Sequence, residues 1–289
     1  MQTNKPTPSV HLALAAVQIM FASLSVAGKI VLAEMPARGV VAIRVSVAAL
    51  IFVAVRFFSP RERVTAPDLL RLAVYSFFGI IANQIIFIEG LQRTTAINAV
   101  VIGAVIPVFT VGVAVVLRRE KATVARLVGL ALGLGGALYI VSGRGKFDAG
   151  YVTGNLLIMC NSLSFAIYLV ISRPILARYR TVTVVTWTFL FGAIGVIPFG
   201  ATDAFAHAHM SATAWSALAW IILFPTVGTY FLNAFALKRA PSSLVAVYVY
   251  LQPLMGGLMA AAVLHERPAP TTLVGGLGIA AGIAVVTLL

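Results

Sequence analysis

Apolar residues run through this chain in long stretches, separated by short segments carrying Arg, Lys, Pro or Glu. A stretch of roughly 20 apolar residues is long enough to cross a bilayer as a helix. Reading the runs against their breakers predicts spans at 11–33, 39–58, 69–89, 97–117, 124–142, 152–172, 182–200, 214–235, 243–263 and 270–289. The connections are polar, as in Ser59-Pro60-Arg61-Glu62-Arg63 and Arg118-Arg119-Glu120-Lys121. Hydrocarbon offers no water to an open sheet edge, so every span is predicted to be helical. The expected fold class is an all-α membrane protein of ten transmembrane helices.

Composition agrees with this pattern. Of 289 residues, 61% are hydrophobic and 10% charged, with a mean hydropathy of +1.02, where globular domains carry about 25% charge. The first run contains Gln18 and Lys29, a poor match to the apolar core of a cleaved signal, and is expected to stay as a helix. The net charge of +13 does not form a nucleic-acid stripe, because the basic residues sit between apolar runs. With Met1 in the cytoplasm, fourteen Lys and Arg fall on that side and five on the other, leaving Lys29 and Arg44 inside spans. That asymmetry predicts both termini in the cytoplasm of a bacterium, with the chain in its inner membrane. The single cysteine, Cys160, excludes a disulfide framework.

Sliding the sequence along itself by 146 positions aligns Phe78 with Phe224, Arg93 with Arg239, Pro107 with Pro253 and Glu120 with Glu266. Leu127-Val128-Gly129 then meets Leu273-Val274-Gly275. The halves 1–146 and 147–289 each hold five predicted spans, an odd number, so they are expected to face opposite ways through the membrane. Two inverted repeats around a central cavity are typical of secondary transporters.

The chain resembles the drug/metabolite transporter superfamily, in its EamA-type branch, over essentially its whole length. The likeness is carried by Lys29, Arg44 and the blocks Pro107, Glu120, Gly129 and Pro253, Glu266, Gly275. The resemblance implies ten helices, both termini inside, a cavity between the halves, and a fifth and a tenth helix packed peripherally. Members export amino acids or other small metabolites, and some import sugars or expel toxic cations. Arg118-Arg119 before Glu120 departs from the family's usual small residue.

Polar groups inside spans are costly unless they face protein or water, so each is a candidate for the pathway. Gln18, Ala22, Ser25 and Lys29 form one stripe of the first helix. Lys29 has two readings, a substrate contact or an ion pair with Glu34. Arg44 lies deep in the second span, where a guanidinium can grip a carboxylate bidentately or pair with Glu34 or Glu89. Asn83, Gln84 and Glu89 complete the first half's set. The second half offers Asn161, Tyr168, Trp187, Tyr230, Asn233, Tyr248 and Gln252. Pro107 and Pro253 are candidate hinges, each expected to free a carbonyl one turn earlier. Gly129/Gly133 and Gly278/Gly282 are spaced four apart for close helix packing within the chain.

Every Asp and Glu falls in a predicted loop or span end, which favours facilitated movement or exchange over a proton pump. The buried cations favour a carboxylate-bearing substrate. The expected function is a secondary transporter that exports amino acids or related carboxylates by alternating access. The alternatives are a multidrug or organic-cation efflux carrier, or a channel. No catalytic constellation, metal site or cofactor is expected. The expected partners are a small-molecule substrate and the bilayer, without nucleic acid, in a monomer or weak homodimer.

Overall fold

The computed structural model describes residues 7–94, 99, 102–142, 151–206, 209–252, 254–255, 259 and 270–288. In chain order its helices are α1 (Pro8–Leu32), α2 (Ala37–Phe57), α3 (Ala66–Gln92), α4 (Ile106–Val116) and α5 (Val124–Ser142). They continue as α6 (Val152–Arg178), α7 (Thr181–Ala206), α8 (Ala212–Leu237), α9 (Ser242–Val247) and α10 (Pro270–Leu288). Helix α9 runs on as a 3₁₀ turn over Tyr248–Tyr250, and no strand occurs among the described residues. Six of these helices, α1, α2, α3, α6, α7 and α8, are long and apolar enough to cross a membrane.

Helices α6 and α7 outrun the predicted ends at 172 and 200, passing through Pro174 and Pro198. A proline removes only its own N–H donor. Beyond Pro174, Ile175 and Leu176 are fully buried, and their packing carries the helix past the break. Two interruptions were not expected from the sequence. α3 widens into a π turn at Phe77–Ile81 and α8 into another at Ile222–Gly228.

Helix α1 packs on α8, α2 on α7, α3 on α6, α4 on both α6 and α9, and α5 on α10. The connections collect on two faces. On one, Asp68 binds Arg71 and Arg178 and accepts the Tyr179 hydroxyl at 2.8 Å, while Glu120 accepts the hydroxyls of Ser242 and Ser243 at 2.5 Å each. On the other, Glu34 binds Ser211, Thr94 binds Asn155, and Glu89 pairs with Arg38 and Arg93. The carboxylates thus sit at helix ends, where water or a cation offsets the cost of their charge.

Small residues set the α5–α10 contact. A Cβ on Gly136 would lie 2.5 Å from the Gly275 carbonyl oxygen, and one on Gly282 would lie 2.6 Å from that of Gly129. The glycines expected to pack within the chain do so. Gly136→Val is expected to destabilise the protein by about 1–3 kcal/mol through overpacking, read as a lowered unfolding midpoint in detergent.

Candidate functional site

The residue that organises the centre of the bundle is Arg44, 1% exposed on α2. Its Nε donates to the Thr226 hydroxyl at 2.6 Å, and its Nη1 is buried without a partner. Neither Glu34 nor Glu89 is its counter-ion, since both are engaged at the surface.

Thr226 is in position because of its neighbour. Pro225 lacks the N–H that a helix would direct at the Ile221 carbonyl. In the π turn the next N–H, of Thr226, reaches back five residues to that carbonyl. The Thr226 hydroxyl also donates to it at 2.8 Å, and its lone pairs are left to accept from Arg44. A hydroxyl repair follows four residues further on, at the Pro225 carbonyl. Thr229 N–H bonds Phe224, and the Thr229 hydroxyl covers the Pro225 carbonyl at 2.6 Å. In α3 the Ala82 N–H reaches Phe77, and Ser164 on α6 donates to the Phe78 carbonyl at 2.8 Å.

These interruptions tie α3, α6 and α8 together. Tyr230 donates its hydroxyl to the Gly79 carbonyl at 2.7 Å, with Asn83 Oδ1 at 3.1 Å, and accepts Gln84 Nε2 at 2.9 Å. Asn161 Nδ2 donates to the Asn83 carbonyl at 2.8 Å. Beside this network opens a cavity with about 60 Å³ of space for the centres of water-sized groups. Arg44, Asn83, Gln84, Asn161, Tyr230 and Gln252 give it a polar side, and Phe21, Phe87, Phe165, Leu24 and Ile158 an apolar one. Among the lining residues there is no carboxylate. Such a wall suits an amphipathic guest with an anionic end.

Six of the predicted site residues therefore meet at one cavity. Gln18 is joined to it through Gln252, whose Nε2 donates to Gln18 Oε1 at 2.8 Å. Tyr168 packs behind it, with its ring against Gly79 and Tyr230. Others lie apart. Lys29 donates to the carbonyls of Leu91 and Thr94 at 2.6 Å each, capping the C-terminal end of α3, where a cation also meets the helix dipole. It has no ion pair with Glu34. Tyr248 shares a 2.5 Å hydrogen bond with His11. Trp187 stacks on Phe191, its indole nitrogen buried without a partner. Asn233 is buried in α8 and Glu89 is on the surface, both off the lining. The Ser25 side chain and Pro253 lie outside the described residues.

Pro107 corrects an expectation. It occupies the first turn of α4, where no helical N–H is required of it, so it starts a helix rather than kinking one. The break precedes it, with Val105 N–H bonding Ile102 at 3.0 Å, and Gly103 and Ile106 line the cavity on either side. The apolar lining was missed at sequence level, although its signal was present. Phe87 and Phe165 each stand four residues after a polar candidate, Asn83 and Asn161, on the same helical stripe.

With the geometry in place, comparison with known proteins gives the class. The EamA-like transporter family matches residues 8–142 and again 152–288. An "Uncharacterized transporter" of Archaeoglobus fulgidus is 30% identical, over 75% of this chain and 76% of its own. A "Probable terminal-alkyne amino-acid exporter" of Streptantibioticus cattleyicolor is 29% identical, over 76% and 73%. A solved crystal structure aligns with a TM-score of 0.76 over 97% of this chain and 96% of its own, at 20% identity, a likeness of fold alone. The chain belongs to the EamA-like transporter family, and is a multi-pass membrane transporter and not an enzyme.

Two predictions follow from the site. Thr226→Val removes the hydroxyl that donates to Ile221 and accepts from Arg44, and the buried Arg44 Nε left unpaired is expected to cost about 1–3 kcal/mol. Thr226→Ser is expected to restore most of it, measured by thermal unfolding. At the surface, Glu34 is held below the ordinary carboxylate value of 4.5, first by the Ser211 hydroxyl and then by the Ser211 N–H. A depressed carboxyl adds stability above its unfolded pKa and loses it as pH falls through the folded one. Protection of the amides in the first turn of α8, taken relative to their intrinsic exchange rate, is therefore expected to fall in acid, below the ordinary carboxylate range, and Glu34→Gln to remove that dependence.

Proposed function

We propose that this transporter exports amino acids or related carboxylate-bearing amphipathic metabolites across a bacterial inner membrane, by alternating access between two inverted five-helix repeats. The observation that carries the proposal is Arg44. Its guanidinium lines the cavity, is buried, has no carboxylate partner, and keeps one nitrogen unbonded. A substrate carboxylate supplies both the missing charge and the missing acceptor. An organic cation would meet an uncompensated like charge there, which disfavours the cation-efflux reading. The "amino-acid exporter" in the printed name of the Streptantibioticus relative lends support to the substrate class.

Support for the repeat comes from several places at once. Exchanging the halves turns the α1–α8 contact into α6–α3 and leaves α2–α7, α4–α9 and α5–α10 unchanged, while α4–α6 becomes α9–α1, met among the described residues only by the smaller contact of α1 with the 3₁₀ turn at Tyr248–Tyr250. Gln84 and Tyr230, which bond each other, stand 146 positions apart. The π turn at Phe77–Ile81, moved by the same offset, falls within that at Ile222–Gly228. Where the repeats meet on such an axis, a site is open alternately to each side. The Lys and Arg asymmetry supports both termini in the cytoplasm.

Reconstituted in proteoliposomes, the wild type is expected to show saturable flux of amino acids or related carboxylates. Arg44→Gln is expected to lower it by roughly tenfold to a hundredfold, the worth of a charge-assisted bond of about 1.5–3 kcal/mol. Its unfolding midpoint should hold or rise, because a buried unpaired cation is gone while an amide can still reach Thr226. Unchanged flux in a well-folded variant would exclude Arg44 from the site.

A further inference from the structure

Buried glycines in this protein stand where a neighbour fills the space of a side chain. A Cβ on Gly79 would run into the Tyr168 ring, one on Gly133 into the Tyr250 ring, and one on Gly200 into the Arg38 backbone. Gly103 breaks that pattern. It is buried, yet among the described residues the nearest atom to its missing Cβ is Gln252 Oε1 at 3.9 Å, an ordinary contact distance.

The backbone gives no reason for a glycine there either. No described glycine has a positive φ, so the conformation at 103 is open to any L residue. Gly103 lies in a helical turn, where glycine is destabilising by about 0.5–1 kcal/mol against alanine. Neither packing nor conformation requires it. What glycine provides at 103 is room, and that room belongs to the cavity. Ala99, one helical turn earlier, lines the same cavity with a second small side chain.

We propose that Gly103 sets the size limit on the apolar group of the carried molecule. This rests on the reading of Arg44 as the carboxylate anchor. With the carboxylate held there, the rest of the guest must fit between Phe21, Phe87 and Ile158 and the low wall of Ala99 and Gly103. A methyl group added at 103 enters that space in ordinary contact with Gln252 Oε1 at 3.9 Å, its nearest described neighbour, and an isopropyl group reaches further into the room left for the guest. One methylene in an apolar pocket changes discrimination by about tenfold or more.

The test is flux in proteoliposomes for a graded series of 2-amino and 2-hydroxy acids bearing methyl, isobutyl or benzyl side chains. It compares the wild type with Gly103→Ala and Gly103→Val. Gly112→Val serves as control, a glycine further along α4 that is exposed and has nothing within 4 Å of its Cβ position. Gly103→Val is expected to reduce flux of the benzyl acids by about tenfold or more relative to the methyl acids, Gly103→Ala to act in the same direction less strongly, and Gly112→Val to leave the profile unchanged. Unfolding midpoints identify any variant that fails to fold, and the alanine step keeps the measurement open if valine does. Wild-type flux with an unaltered size profile in the folded Gly103 variants would overturn the role of Gly103 and leave the carboxylate reading standing. A wild type that moves none of the series would overturn both.

Discussion

In hydrocarbon, a backbone carbonyl that loses its helical donor must find another within the protein, and this requirement shapes the centre of the bundle. Pro225 has no N–H for the Ile221 carbonyl, which is met by the i→i−5 ladder of the π turn and by the Thr226 hydroxyl. A hydroxyl whose proton is committed to a carbonyl has only acceptor capacity left. It is thereby set to receive a cation, and Arg44 meets it at 2.6 Å. The irregular turns of α3 have the same consequence, drawing Ser164, Asn161 and Tyr230 from other helices onto the carbonyls of Phe78, Asn83 and Gly79. Polar side chains in this protein therefore stand where the backbone needs them, and the cavity is built beside those repairs.

The distribution of charge follows from the same cost. Asp68 and Glu120 lie on one face, and Glu34 and Glu89 on the other, each held by hydroxyl, amide or cation partners. Lys29 is neutralised in part by two carbonyls at a helix end. Arg44 alone among these groups is held in the interior by a neutral hydroxyl, with one nitrogen unmet. A buried cation without a carboxylate is an unusual expense for a membrane protein. The proposed function gives that expense a return, since the counter-charge arrives with the substrate.

Much of this was legible in the sequence, and the parts that were not share a physical cause. Helix ends followed from apolar runs and breakers, because lipid leaves helices as the sole way to satisfy the backbone. Arg44, Asn83, Gln84, Asn161, Tyr230 and Gln252 were found because polar residues in apolar runs are rare. Phe21 and Gly103 were not, since an apolar residue facing a cavity and one facing lipid have the same composition, and Phe87 and Phe165 were marked only by their place one turn after Asn83 and Asn161. Lys29 was misjudged in kind. Its partners are backbone carbonyls of α3, 62 and 65 positions away, and no pattern of side chains announces a main-chain acceptor. The extension of α6 beyond Pro174 was hidden for a similar reason, as it depends on tertiary burial of Ile175 and Leu176.

The bonds that close the cavity toward the N-terminal end of α1 bear on the proposed alternation. Helices α1 and α9 are joined there by Gln18–Gln252 and, nearer that end, by His11–Tyr248. Both pairs join uncharged partners when His11 is neutral, and such bonds contribute about 0.5–1.5 kcal/mol each to a folded structure. Parting both costs about 1–3 kcal/mol, a small population shift rather than a rupture. A ligand can move an equilibrium only by the difference in its affinity for the two states. One charge-assisted contact to Arg44, made in one state and weakened in the other, is of the same size. Gln252 touches both the cavity and the closing pair, so the residue that closes the floor is also one that the guest meets. In the proposed mechanism that single amide couples binding to opening, and no carboxylate is among the described residues of the cavity wall.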